Sequence, residues 1–185
     1  MRRATLSRGI GMALILAAAA ASSANPKPAP PTLKVLTVGG VAVSLKWDPA
    51  WIADVDPKGE REVASFNAAD KLQMLTNLTM GPIPPDATPD AFRAWFMDKT
   101  SKDLLRQSVE KELKMKSFGA AGAEGVRACA TDRAPKPDEY RYICQGVVTH
   151  EGHVLIFTVL YNDAGKAAAD EAVAALEALQ FPQGT

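Results

Sequence analysis

Apolar positions along this chain switch between alternating runs, continuous runs and helical stripes, and each switch predicts an element. Val41 to Trp47 alternates enough to predict a strand, closed by Asp48-Pro49. Glu62 to Phe66 and Leu72 to Met80 predict two more, the second placing Leu72, Met74, Thr76, Leu78 and Met80 on one face. Gly81-Pro82-Ile83-Pro84-Pro85 is expected to stop the sheet there. Thr88, Pro89 and Asp90 then supply a capping hydroxyl, a proline at the first helical position and an acid in the first turn. The helix is expected to run to about Lys116, with a shift in its apolar phase. Phe92, Trp95 and Phe96 cluster on one side, while Leu105, Val109 and Leu113 lie roughly a quarter turn away. The polar Lys99-Thr100-Ser101-Lys102 between them predicts a break or kink.

Phe118 to Gly125 reads as a Gly/Ala loop. Val126 to Thr131 and Tyr140 to Thr149 read as strands joined through Pro135-Lys136-Pro137, and His150-Glu151-Gly152-His153 as a tight hairpin turn. Val154 to Tyr161 is apolar on both faces, which predicts a strand buried on both sides. Lys166 to Leu179 predicts a helix with Ala172, Val173, Leu176 and Leu179 on one stripe and Phe181 beyond it. Hairpin-length links imply a largely antiparallel sheet. With a helix group for each face, the expected architecture is an α+β, three-layer α/β/α sandwich.

The first 24 residues predict a destination rather than a fold. Arg2, Arg3 and Arg8 precede an apolar run from Ile10 to Ala21, and Ser22-Ser23-Ala24 places small residues at a cleavage site. The run falls short of the about 20 apolar residues that span a membrane. Cleavage is expected after Ala24, by general secretion rather than the twin-arginine route, with a periplasmic or secreted product and no stable membrane insertion afterwards. Neither cysteine lies near the cleavage region to carry a lipid. Residues 25–32 hold four prolines and predict an extended spacer. A single domain is expected over residues 33–182.

The 185 residues carry 21 basic and 21 acidic side chains. Cleavage would remove three arginines, leaving 18 basic against 21 acidic groups, a net charge of −3. Such a balance argues against nucleic acid or anionic lipid as a partner, since both select for excess Lys and Arg.

The order of elements resembles a known family. Val41-Ala-Val-Ser-Leu-Lys-Trp-Asp-Pro-Ala-Trp51, the helix start from Thr88 to Phe96, the run from His153 to Asn162 and the helix from Lys166 to Phe181 together resemble the PsbP-like α/β/α sandwich. That fold takes its name from an extrinsic subunit of photosystem II and is shared with a nuclear Ran-binding protein and many small bacterial envelope proteins. The resemblance implies a binding or assembly-accessory role rather than catalysis, with an envelope protein or small ligand as partner. It transfers no functional residue.

Candidate chemistry is sparse. Cys129 and Cys144 are the only cysteines, and the predicted hairpin centred near Lys136-Pro137 places them opposite one another. In an oxidising compartment that spacing predicts a disulfide, worth roughly 3 kcal/mol for a loop of about 15 residues. A redox or metal-binding pair is the alternative, without a C-x-x-C spacing to support it. His150 and His153 flank Glu151-Gly152 and are the one weak metal candidate, against a solvated turn with incidental histidines. Trp47, Trp51 and Trp95 are expected in the core rather than in an aromatic ligand pocket. Asp54, Asp56 and Glu60 form an acidic loop without the ligand spacing of an EF-hand. Lys111 to Lys116 reads as a solvated helix face. No G-x-S-x-G or phosphate-cradling loop is present. The expected function is an exported, non-enzymatic binding or assembly-accessory protein with no cofactor. A small exported hydrolase or a weak metal-handling protein are the alternatives.

Overall fold

The computed structural model describes residues 30–70, 72–120 and 122–182. The expected export segment 1–24 and residues 25–29 of the spacer lie outside the described residues.

A two-stranded hairpin opens the domain: β1 (Thr32–Val38) and β2 (Val41–Trp47) pair antiparallel around Gly39-Gly40. Both glycines have positive φ (56° and 77°), the conformation a two-residue hairpin turn requires. Then come β3 (Ile52–Asp54), β4 (Val63–Asn67), β5 (Met74–Pro82), α1 (Pro89–Gln107), β6 (Lys116–Ala120), β7 (Ala123–Thr131), β8 (Tyr142–His150) and β9 (His153–Tyr161). A 3-10 turn at Asp163–Gly165 leads into α2 (Lys166–Glu177). The seven later strands form one sheet in the order β3-β4-β5-β9-β8-β7-β6, every neighbouring pair antiparallel.

The doubly apolar run from Val154 to Tyr161 is the central strand, as its pattern requires. Its Leu155, Phe157 and Val159 face α2 and the β1–β2 hairpin, in a core shared with Met74, Leu78 and Met80 of β5. Its Val154 and Ile156 face the other way, toward Met97 of α1 and Val147 of β8. The result is a three-layer α+β sandwich with a wholly antiparallel central sheet. One outer layer is α1 and the other is α2 together with the hairpin.

Several local expectations change. The strand Val41–Trp47 belongs to the outer hairpin and not to the central sheet, and its partner Thr32–Val38 begins on the last residue of the expected spacer. Gly81-Pro82 does not stop the sheet: β5 continues to Pro82, opposite His153. At this terminal position the missing proline N–H costs no interior ladder bond, and the next N–H, Ile83, donates to Gly152. The expected Gly/Ala loop is the β6–β7 hairpin. The strands around the Glu151-Gly152 turn meet as expected, with positive φ at both residues (44° and 80°).

Helix α1 does not break at residues 99–102. It is one helix with Thr88 Oγ1 accepting from the Ala91 N–H at its start. Its packed stripe is centred on Met97 and Thr100, flanked by Phe96, Leu104 and Leu105. Thr100 is buried despite its hydroxyl, and counting it as polar makes one stripe look like two. The helix ends at Gln107, so Val109 and Leu113 are not on it.

Glu110 explains the early stop. Its carboxylate accepts from Ser108 Oγ, from the Thr131 N–H (3.0 Å) and from Thr131 Oγ1 (2.8 Å), tying the segment after α1 to the end of β7. Burial alone would push the Glu110 carboxyl up, but these hydrogen bonds outweigh it and hold it at about 2. The folded value lies below the unfolded one, so this stabilisation is complete above pH 4.5 and lost as pH falls toward 2. Glu110→Gln should therefore cost about 1–2 kcal/mol at pH 6. Thermal melts at pH 6 and pH 2.5 should show the gap to wild type closing at the lower pH. A gap independent of pH would mean the carboxylate charge contributes nothing.

Candidate functional site

The run Trp47-Asp-Pro-Ala-Trp51 builds one wall of the site. Asp48 accepts the Trp51 N–H through its backbone carbonyl (3.0 Å) and the Ala50 N–H through Oδ1 (2.7 Å). Pro49 occupies the second position of that turn, where its fixed φ is already suitable. The turn brings Trp47 and Trp51 together edge to face, ring centres 5.4 Å apart, and stacks Trp51 on Phe66 of β4 at 4.9 Å. Both tryptophans are buried. Lys34 of β1 caps the group, its Nζ 4.0 Å from the centre of the Trp47 ring.

Between this turn and α2 runs a groove of about 710 Å³. Its walls are Trp51, Pro49, Ala50 and Pro31 on one side and Ala174, Ala175 and Ala178 on the other, with Lys46, Asp48 and Glu171 as its charged groups. The alanines create the space: Ala174 on α2 and Ala178 at its C-cap lie one turn apart and leave that flank without long side chains. Trp51 Nε1 is buried with no hydrogen-bond partner among the described residues, which carries a cost of about 1–3 kcal/mol.

The charged groups interact. Burial, a side-chain hydrogen bond with Asp48 and the charge of Asp48 push the Glu171 carboxyl up, while Lys46 acts in the opposite direction. The groove therefore suits a ligand that is mostly apolar and carries a polar end.

The residues singled out by sequence are distributed elsewhere. Cys129 and Cys144 lie opposite each other on β7 and β8 and form a disulfide. His150 and His153 face each other as the last pair before the Glu151-Gly152 turn. His150 is not a solvated turn residue, because its ring stacks on Phe181 at 4.4 Å and its Nδ1 lies 3.2 Å from the Gly122 carbonyl. No group of three His, Cys, Asp or Glu side chains suited to a metal comes together among the described residues. Asp56 turns its carboxylate onto the backbone N–H groups of Lys58, Glu60 and Arg61 (3.0–3.3 Å), which hold its carboxyl below the usual range. That acidic loop is closed on itself. Trp95 departs from the expected core placement: it lies on the outer side of α1, 56% exposed, beside Phe92 and Lys99. Residues 111–115 are not helical, and Lys116 begins β6.

Asp48, Glu171 and the alanines of α2 were not singled out from the sequence. The signal was present as two alanines spaced i, i+4 outside the core stripe of the last helix, but it requires knowing that the Trp51 turn packs beside that flank.

No protein-family model matches the chain, and comparison with curated proteins gave no match either. Solved structures do match. One is the solution structure of cyanobacterial PsbP (CyanoP) from Synechocystis sp. PCC 6803. Its TM-score is 0.53 at 13% identity, over 81% of this chain and 92% of that one. Another is a crystal structure from Bacteroides thetaiotaomicron VPI-5482, with TM-score 0.50 and 11% identity over 85% of this chain. The chain spans about half the length of that second protein, 50%. Likeness at these identities is likeness of fold, and together with the order of strands and helices it establishes that the chain has a PsbP-like fold.

Proposed function

We propose that this chain is an exported, non-catalytic binding or accessory protein of the cell envelope, and that the Trp51 groove holds the apolar part of its partner or ligand. The observation that carries the reading is the groove itself: an open, alanine- and tryptophan-walled channel with its charges confined to Lys46, Asp48 and Glu171. Binding sites of this kind are concave and mainly apolar, with few polar groups to set orientation. Lys46, Asp48 and Glu171 would set the orientation of the ligand's polar end. The basic, apolar leader with its small-residue cleavage site supports the export part of the reading.

The probe 1-anilinonaphthalene-8-sulfonate tests the groove. It should bind the folded protein with an affinity in the micromolar range and change Trp51 emission. Ala174→Trp fills the channel from an exposed position on α2 and should weaken that binding at least tenfold, with the melting temperature unchanged within a few degrees. Undiminished binding to the filled variant would place the apolar site elsewhere and sink the proposal.

A further inference from the structure

The Cys129–Cys144 bridge lies on the α2 side of the sheet, lining a separate cleft of about 240 Å³. Its two sulfurs are in different surroundings. Both cysteines border the cleft, but Cys144 is 3% exposed while Cys129 is only partly buried. Arg127, two residues from Cys129 on the same strand face, donates from Nη1 to Cys129 Sγ at 3.1 Å. Glu177 of α2 fixes that guanidinium, accepting from Arg127 Nε at 2.5 Å and from Lys116 Nζ of β6 at 2.7 Å. Tyr161 of β9 and Asp170 of α2 complete the charged and titratable groups around the cleft.

A buried structural disulfide among apolar side chains has nothing to stabilise a thiolate, and reduction leaves its sulfurs as neutral thiols. Here a fixed cation already touches one sulfur. A cation at hydrogen-bond distance favours the thiolate and so favours the reduced form. The geometry points to a second function independent of the groove: we propose that Cys129–Cys144 is a thiol-exchange site whose reaction partner is a dithiol.

The exchange balances in two steps. A thiolate of the partner dithiol attacks Sγ of Cys129, the less buried of the two cysteines. A new S–S bond forms, the Cys129–Cys144 bond breaks, and its electron pair leaves on Cys144, which takes a proton from solvent. The second thiol of the partner, as thiolate, then attacks its own sulfur in the mixed disulfide. Cys129 departs as a thiolate held by Arg127. The bridge has gained two electrons and the partner has become a disulfide. Reversal of the same steps returns the bridge.

The test uses dithiothreitol in defined ratios of reduced to oxidised form at pH 9, with thiols trapped by alkylation and counted by mass. Two thiols should appear while the near-ultraviolet circular dichroism of the folded protein persists. Arg127→Ala should lower the equilibrium constant for reduction about fivefold, and Arg127→Lys should restore most of it. Glu177→Gln removes the counter-charge and should shift the equilibrium in the opposite direction. Titration of the reduced protein at 240 nm should show one thiol below the usual value of about 8.5, rising by about one unit in Arg127→Ala. Mere loosening of the fold makes the bridge easier to reduce in both variants. That result, or thiols that appear only on unfolding, would overturn the proposal.

Discussion

Replacing Phe66 by alanine should cost about 3–5 kcal/mol in a urea titration, a large share of the 5–15 kcal/mol that holds a domain of this kind. Phe66 is wholly buried in β4 and is the common floor under both tryptophans of the turn, 4.9 Å from Trp51 and 5.2 Å from Trp47. Truncation removes its transfer energy and leaves a cavity that the rigid indoles cannot collapse into. Phe66→Leu keeps most of the volume and should cost about 1.5 kcal/mol. The loss also has a functional consequence. With its stacking partner gone, Trp51 has no fixed position as a groove wall, so binding of the naphthalene probe should weaken even where the variant remains folded. A cost below about 1 kcal/mol for the alanine variant would show that the aromatic floor is dispensable.

Gly165→Ala should be the most damaging glycine substitution in the chain, destabilising by about 3 kcal/mol. The added Cβ would lie 2.0 Å from the Gln73 carbonyl oxygen, a backbone atom that no rotamer change can move. The φ of −93° at Gly165 suits alanine, so the cost is purely steric. This contact is where α2 docks onto the turn before β5. Asn162 donates its N–H to the same Gln73 carbonyl (3.0 Å) and its Nδ2 to the Leu72 carbonyl (3.0 Å). Relief would displace the start of α2 and, with it, Glu171 and Ala174 at the groove. Gly152→Ala offers the contrast. Its Cβ would enter open space, but φ is +80°, so its cost of about 1 kcal/mol is conformational. Chemical denaturation of the two variants separates the mechanisms, and equal costs would contradict the steric account.

Elements whose pattern is set by their own burial were legible from the sequence. Val154 to Tyr161 shows no polar face because it has none in the structure, and the stripe of Ala172, Val173, Leu176 and Leu179 is buried throughout. The readings that failed were those decided by partners distant in sequence. Thr32–Val38 became a strand through Gly-Gly and β2, with Leu33 and Val35 left outward and exposed, so its hydrophobic pattern does not mark the core side. The segment after Gln107 keeps helical spacing, yet Glu110 draws it to Thr131, 21 residues away. The groove was the least legible feature, because an alanine flank acquires meaning only beside the Trp51 turn. The two cysteines were easier, since a single hairpin decides their pairing.

The position of β9 between β5 and β8 has a consequence for how the chain reaches this structure. Within the seven-stranded sheet, β3-β4-β5 is one local meander and β6-β7-β8-β9 another, each joined by connections of two to ten residues. They share a single seam, the ladder from Met74↔Tyr161 to Pro82↔His153, whose partners are 71 residues apart even at its nearer end. The entropy of closing that loop must be met before the seam contributes anything, so it is the expected slow event of folding. Until β9 has left the ribosome the first meander keeps an open edge. A chain organised in this way cannot complete its central sheet until almost all of it has been made.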